Sequence, residues 1–408
     1  MTPGTSADRA IQRSELLRFA ANSRHPAGFG HLDSTGKLDP TQPVELYVTC
    51  RMTHTFALGL LAADPPAPHG PDADTLRSLA QQGVQALLEG PLHDPEHGGW
   101  FARVNTDNTT APLKEAYGHA HVVLAASSAL AGGIHRAAEL LEQALTVQSE
   151  RFFDVDAGLV VEEWDPAWRQ LSEYRGMNSN MHTVECYLAA GDVTGDPQWH
   201  TKAGRMATRL VSWASANDWR IPEHFTADWT PMMDYNLEQP AHPFRPYGAT
   251  IGHGLEWARL LIQVHASLGA AAPAGLQEAG IALADRAISD GWHADGADGF
   301  VYTTDWEGRP IVRSRMHWVI CEAIATSAIL SQVTGDPRHD SDLHRWWDYA
   351  DEFLVDHHAG SWHHELGPDN RPQSRTWAGK PDAYHTYQAL LVQDLPVVPS
   401  FATALRHA

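Results

Sequence analysis

The sequence predicts an all-α fold, an (α/α)6 barrel in which six helix pairs close into a toroid with short β-hairpins around a central pocket. Three observations point there. A motif rich in His, Arg, Asn and aromatic residues opens a mostly apolar run six times, a glycine- and aromatic-rich element precedes each copy, and amphipathic runs fill the intervals.

The motif copies are Cys50-Arg-Met-Thr-His54, Tyr117-Gly-His-Ala-His121, Asn178 to Glu185, Gly252 to Trp257, His317 to Glu322 and Tyr384 to Gln388. With Arg51, Tyr117, His182, His253, Trp318 and His385 as markers, the spacings are 66, 65, 71, 65 and 67 residues, which is an internal repeat. The fourth copy is the clearest. Gly248 and Gly252 punctuate a loop, and Leu255, Ala258, Leu261, Ile262 and His265 then recur at the spacing of one buried helical face.

The preceding elements are Gly28–Asp33, Gly98–Arg103, Gly158–Trp164, Trp219–His224, Gly299–Thr304 and Gly360–Glu365. Alternating aromatic and polar residues between turn formers predict short hairpins or extended loops. Outer helices are expected over Asp74–Leu88, Arg136–Phe152, Gln198–Ala214, Gly275–Ile288 and Asp340–Leu354. A unit of outer helix, hairpin and inner helix closes into two concentric rings, with an open solenoid as the alternative. Residues 1–408 are expected to form one catalytic domain, because the repeat runs through the short breaks Pro65–Pro68 and Ala270–Ala274.

The formal charge of −21 disfavours nucleic acid and anionic membranes as partners, since both require a basic surface. Met1–His25 carries no apolar segment of a secretory signal, and no run of about 18 apolar residues occurs, so a cytoplasmic location is expected. Oligomeric state is left undecided between monomer and homo-oligomer. Cys50, Cys186 and Cys321 all fall in expected inner helices, as suits buried free thiols.

If the inner helices enter from one end, their first turns bring Arg51, Tyr117, Asn178, His182, His253, Glu256, Trp318, Glu322 and His385 to one pocket. His182, His253 and His385 sit early in inner helices, where the positive helix end favours neutral imidazole, the form that takes and returns protons. His253 and Glu256 are three residues apart on one helix, so Glu256 is expected to orient His253. Trp318 and Trp377 are the aromatic candidates for stacking a sugar ring. No tight metal-binding pattern, dinucleotide fingerprint, P-loop or nucleophile elbow is present, so neither cofactor nor metal is expected.

Taken together, Arg51-Met-Thr-His54, Asn178-Ser-Asn-Met-His182, Gly252-His-Gly-Leu-Glu-Trp257, Trp318 with Glu322, and Trp377 to His385 resemble the N-acylglucosamine 2-epimerase superfamily, in its mannose isomerase and sulfoquinovose isomerase branch. That resemblance spans nearly the whole chain and implies the (α/α)6 barrel and a cofactor-free aldose–ketose interconversion of a monosaccharide. It implies His253 and His385 as acid and base, Glu256 and Glu322 as supporting carboxylates, His182 as a third active-site histidine, and Arg51, Tyr117, Asn178 and Trp318 as sugar contacts.

D-Mannose and D-fructose are the favoured pair, with D-lyxose and D-xylulose as the pentose counterpart. The alternatives are a mannose 2-epimerase and a sulfoquinovose isomerase, the latter needing anion-binding groups for which the Ser361–Lys380 segment offers Arg371, Gln373, Arg375 and Lys380. A glycoside hydrolase using two carboxylates from Asp305, Glu307 and Glu365 is the alternative from a different reaction class, and a non-catalytic sugar-binding module ranks below it.

Overall fold

The outer helices carry their own start signals and the inner ones do not, and that difference explains the architecture. In the computed structural model, which describes residues 5–408, the outer helices are α1 (Ser6–Ala20), α3 (Ala73–Glu89), α5 (Ala137–Val147), α7 (Pro197–Ala216), α9 (Leu276–Gly291) and α11 (Pro337–Tyr349). Thr5, Asp72, Asp196 and Asp336 cap α1, α3, α7 and α11 with their side chains, and Pro197 and Pro337 open α7 and α11.

The inner helices are α2 (Leu46–Ala62), α4 (Ala116–Ala131), α6 (Met177–Thr194), α8 (Ile251–Leu268), α10 (His317–Thr334) and α12 (Tyr384–Leu391), and none has a side-chain N-cap. Instead, five of them donate a first backbone N–H to a carbonyl of the following hairpin. The bonds are Leu46 to Ala102 (2.9 Å), Ala116 to Glu162 (2.8 Å), Met177 to Glu223 (3.0 Å), Ile251 to Tyr302 (3.1 Å) and His317 to His364 (3.1 Å). The hairpins therefore satisfy the open helix ends and hold them together at one face of the ring.

The strand leading into each of these helices pairs antiparallel with the hairpin of the next repeat: Val44–Glu45 with Arg103–Val104, Lys114–Glu115 with Glu163–Trp164, Arg175–Gly176 with His224–Phe225, Ala249–Thr250 with Thr303–Thr304, and Arg315–Met316 with Glu365–Leu366. The last repeat returns to the first through the Lys380 N–H, which donates to the Leu32 carbonyl at 2.8 Å. Neighbouring inner helices pack in order, α12 meets α2, and each outer helix covers an inner one, so the ring is closed. Buried ion pairs tie the hairpin to the segment leading into the inner helix in three repeats: Lys114 with Asp94 (2.6 Å), Arg315 with Asp295 (2.7 Å) and Lys380 with Asp356 (2.7 Å).

Inner helices are surrounded on all sides, and α8 is buried continuously from Ile251 to Val264. The single apolar face expected there is thus too narrow a description, and His265, placed on that face, is only partly buried. Outer runs expected to end at Phe152 and Leu354 do so, with the last turns widened into π-helix over Gln148–Phe152 and Ala350–Leu354.

The hydrophobic pattern does not locate the sixth outer helix, α1. Its packed face includes Arg9 and Arg13 beside Leu16, Leu17 and Phe19, which masks the apolar periodicity. Arg13 bonds Asp64 (2.7 and 2.8 Å), Asp394 (3.0 Å) and the Leu390 carbonyl (2.8 Å), joining the first and last repeats. A short helix, α13 (Phe401–His407), packs on α2, α4 and α6 at the end away from the hairpins.

Cys50, Cys186 and Cys321 are buried free thiols, and burial pushes all three pKa values up. Among the described residues no helix is long and apolar enough to cross a membrane.

Candidate active site

Between the hairpins, where the inner helices begin, lies a cavity of about 660 Å³ including its open mouth. Arg51, Tyr117, Asn178, His182, His253, Glu256, Trp318, Trp377 and His385, all singled out from sequence, line it. Glu322, the tenth, lies behind His385 rather than in the wall.

His253 is the third residue of α8, and its Nδ1 lies 2.9 Å from Oε2 of Glu223, a residue that the sequence pattern does not single out as a site residue. Here the structure corrects the expected pairing. Glu256 turns away from His253, its Oε1 lying 3.5 Å from Arg259 and 3.8 Å from Nδ1 of His182. Spacing on one helix selects a side but not a partner, and the hairpin supplies a carboxylate from outside the helix. The signal was positional. Glu223 occupies the hairpin position whose carbonyl caps an inner helix, and the equivalent residues Tyr302 and His364 line the cavity while Glu162 accepts from Ser179 at 2.6 Å.

His385, the second residue of α12, has its Nδ1 3.0 Å from Oε1 of Glu322, whose Oε2 accepts from Nε of Arg259 at 3.0 Å. A carboxylate oxygen accepts, so Nδ1 donates in both His253 and His385 and each Nε2 is left bare as a base. Burial, with the Arg51 charge adding to it, holds the His385 pKa well below the usual value and therefore keeps the ring neutral. Trp318 lies beside both rings, with centroid distances of 5.5 Å to His253 and 5.8 Å to His385. Gly252 makes that possible, because a Cβ there would fall 2.1 Å from the indole.

His182 lies on α6, its Nδ1 3.5 Å from Glu185 and 3.8 Å from Glu256, and burial lowers its pKa to about 4. Burial raises the Glu256 pKa well above the carboxylate range, and Glu322 adds to the effect. Glu185 goes the other way: burial pushes it up, but the His182 contact and the Arg259 charge outweigh that and lower its pKa. Tyr384 donates to Oε2 of Glu185, and Gln388 donates to Oε1 at 3.1 Å.

Each nitrogen of the Arg51 guanidinium makes one hydrogen bond. Its Nε donates to Nε2 of His121 (3.1 Å), one terminal nitrogen to Asp382 (3.3 Å) and the other to the Tyr117 hydroxyl (3.0 Å), with its guanidinium over the Tyr384 ring at 4.5 Å. Phe244, in the long loop before α8, reaches across to Tyr47 (5.9 Å), Tyr117 (5.9 Å) and Trp377 (5.1 Å) and roofs the cavity. Tyr47, Phe244, Tyr302, His317, His364 and Asp382 are lining residues that the sequence pattern missed.

Other candidates lie elsewhere. Asp305 and Glu307 bond Arg309 at 2.7 Å each, Glu365 accepts from the backbone of Thr376 (2.7 Å) and Trp377 (3.1 Å), and none of the three lines the cavity. Nor do Arg371, Gln373, Arg375 or Lys380. Two groups, His182 with Glu185 and Glu256, and Glu256 with Glu322 and His385, bring donor atoms within 4.8 Å of one another as a metal would need. Both oxygens of Glu185 and of Glu322 already accept hydrogen bonds, and Arg259 supplies the cation beside them.

The chain resembles known proteins over nearly its whole length. A D-mannose isomerase from Thermobifida fusca is 48% identical over 96% of this chain and 94% of its own, and one from Pseudomonas cannabina pv. alisalensis is 41% identical over 97% and 94%. A crystal structure of a D-mannose isomerase superposes with a TM-score of 0.86 at 25% identity, covering 96% of this chain and 98% of the other. The model of the N-acylglucosamine 2-epimerase (GlcNAc 2-epimerase) family matches residues 28–389, and with these relatives it shows that the chain belongs to that family.

Proposed function

We propose that the protein is a sugar isomerase that interconverts D-mannose and D-fructose through a cis-enediol, using its own side chains for every proton transfer. The observation that carries this reading is the pair His253 and His385: two imidazoles beside one indole, each with a carboxylate at Nδ1 and a bare Nε2.

On the open-chain aldose, one of these Nε2 atoms takes the proton from C2. The C2–H electrons form the C1=C2 bond while the carbonyl π electrons move to O1; the second imidazole, whose Nε2 is bare, takes the O2 proton and delivers it to O1, giving the cis-enediol as its O2 anion. C2 then becomes the carbonyl as the C1=C2 electrons take the proton back from the first imidazolium onto C1. His182, which lines the cavity with Glu256 and has Glu185 beside it, is suited to opening the ring or holding the chain. Trp318 and Trp377 offer apolar faces, and Asn178 offers an amide to hydroxyls.

A neutral sugar is favoured because Arg51 already has Asp382 as its counter-ion, and the four other anion-binding candidates lie outside the cavity. The relatives named D-mannose isomerase point the same way. Proton NMR of EDTA-treated protein with mannose in heavy water tests the reading. Fructose carrying deuterium at C1 is the expected result; glucose as the first product would make the enzyme an epimerase, and an unchanged spectrum would overturn the substrate. His253→Asn and His385→Asn, prepared separately, are expected to fold and to lose turnover.

A further inference from the structure

Three acidic side chains, Glu185, Glu256 and Glu322, are buried around the guanidinium of Arg259 on α8, which lies within 4 Å of Glu256 and Glu322. We propose that Arg259 is a positioning residue of the reaction, a buried fork that fixes Glu322 behind His385 and leaves Glu256 as the carboxyl that keeps its proton. This rests on the isomerase reading for the meaning of turnover, but its structural half does not.

Arg259 is 1% exposed and has no solvent to share its charge with. Its Nε donates to Glu322 at 3.0 Å, a terminal nitrogen donates to Gln263 at 3.3 Å, and the other lies 3.5 Å from Glu256. Glu185 has Tyr384 and Gln388 as donors of its own. Glu256 and Glu322 thus compete for Arg259, the guanidinium within 4 Å of both, and a buried layer does not hold both as anions at ordinary cost.

The geometry decides between them. Glu322 has a strong donor on each oxygen, Arg259 on one and His385 on the other. Glu256 has only long contacts, both on Oε1, at 3.5 Å to Arg259 and 3.8 Å to Nδ1 of His182, and its Oε2 has no partner. The negative charge therefore resides on Glu322 and the proton on Glu256: burial raises the pKa of both, but for Glu322 the Arg259 charge and hydrogen bond oppose the rise, and Glu256 goes the further up. An ionised Glu322 holds the proton of His385 on Nδ1 and leaves Nε2 bare. Without Arg259, Glu322 loses its charge partner, takes up a proton, and no longer enforces that tautomer.

The consequence is measurable without any sugar. Long-range 1H–15N correlation of the histidine rings in the resting protein is expected to show His385 as the Nδ1–H tautomer in the wild type and as a mixture of tautomers in Arg259→Met. With mannose, Arg259→Met is expected to lower kcat about 100-fold with KM within about threefold, as for an interaction realised in the transition state. Arg259→Lys, which keeps the charge and loses the fork, is the variant for the case that Arg259→Met does not fold; about a tenfold loss of kcat is expected from it.

Arg259→Met combined with Glu322→Gln should be no slower than Glu322→Gln alone, because the two act through one hydrogen bond. Unchanged His385 tautomer in Arg259→Met, full activity of Arg259→Lys, or multiplying losses in the double variant would each overturn the proposal. A wild type that is inert toward mannose would overturn the substrate and leave the tautomer comparison standing.

Discussion

Replacing Glu223 by glutamine tests the most consequential contact in the site. Glu223 is 4% exposed, its Oε2 lies 2.9 Å from Nδ1 of His253, and its Oε1 has no partner, so this one bond carries its contribution. A hydrogen bond to a charged group contributes about 1.5–3 kcal/mol, which is about 10- to 150-fold in rate when it is made in the transition state. The amide adds a second effect. Its NH2 can donate to Nδ1, moving the imidazole proton to Nε2 and blocking the base; a comparable Asp-to-Asn change behind a catalytic imidazole costs about 10⁴. We expect kcat to fall about 10²- to 10³-fold, with KM within about threefold and the circular dichroism spectrum unchanged. The assay is fructose release from mannose over a tenfold range around KM, with unfolding by urea as the control. A folded Glu223→Gln with kcat within threefold of wild type would refute the assignment of Glu223, and a comparable loss in Glu256→Gln through KM alone would return Glu256 to sugar binding.

Three further outcomes are expected. Burial raises the Glu162 pKa to about 7 against 4.5 for the free side chain, so its contribution to stability is complete below pH 4.5 and is lost as the pH rises through 7. The difference in urea-unfolding free energy between wild type and Glu162→Gln should therefore shift by up to about 3 kcal/mol between pH 4.5 and pH 8, and a pH-independent difference would rule this out. Arg13→Met breaks the ties from α1 to Asp64 and Asp394 and should cost about 3 kcal/mol by urea unfolding with kcat unchanged; an unaltered midpoint would mean that α1 closes the ring by apolar packing alone. Phe244→Ala removes the roof over Tyr117 and Trp377 and should raise KM about tenfold while kcat stays within about threefold, whereas a fall in kcat alone would place Phe244 among the groups acting on the transition state.

The closed ring was legible because its repeat is a property of the linear chain. Each inner helix announces itself by an apolar run after a polar-aromatic opening, and helix period and interval length survive without knowledge of contacts. Nine of the ten site candidates line the cavity, and eight of these for the same reason: they lie in the first two turns of inner helices, which a ring brings together, while Trp377 comes from the segment before α12. α1 escaped because buried arginines carry part of its packing, and hydrophobic periodicity does not register an arginine paired with Asp64.

What the linear pattern left open is which group faces which. His253 and Glu256 share a helical side, yet the partner of His253 is Glu223, thirty residues earlier and brought in by a hairpin that pairs across repeats. Glu322 is recognisable as an acidic group near Trp318, but only the packing of α8, α10 and α12 places it between Arg259 and His385. Periodicity determines the direction in which a side chain leaves its own helix. Partners across a buried layer are settled by the distances between helices and by the charge that layer can hold, and these exist only once the ring has closed.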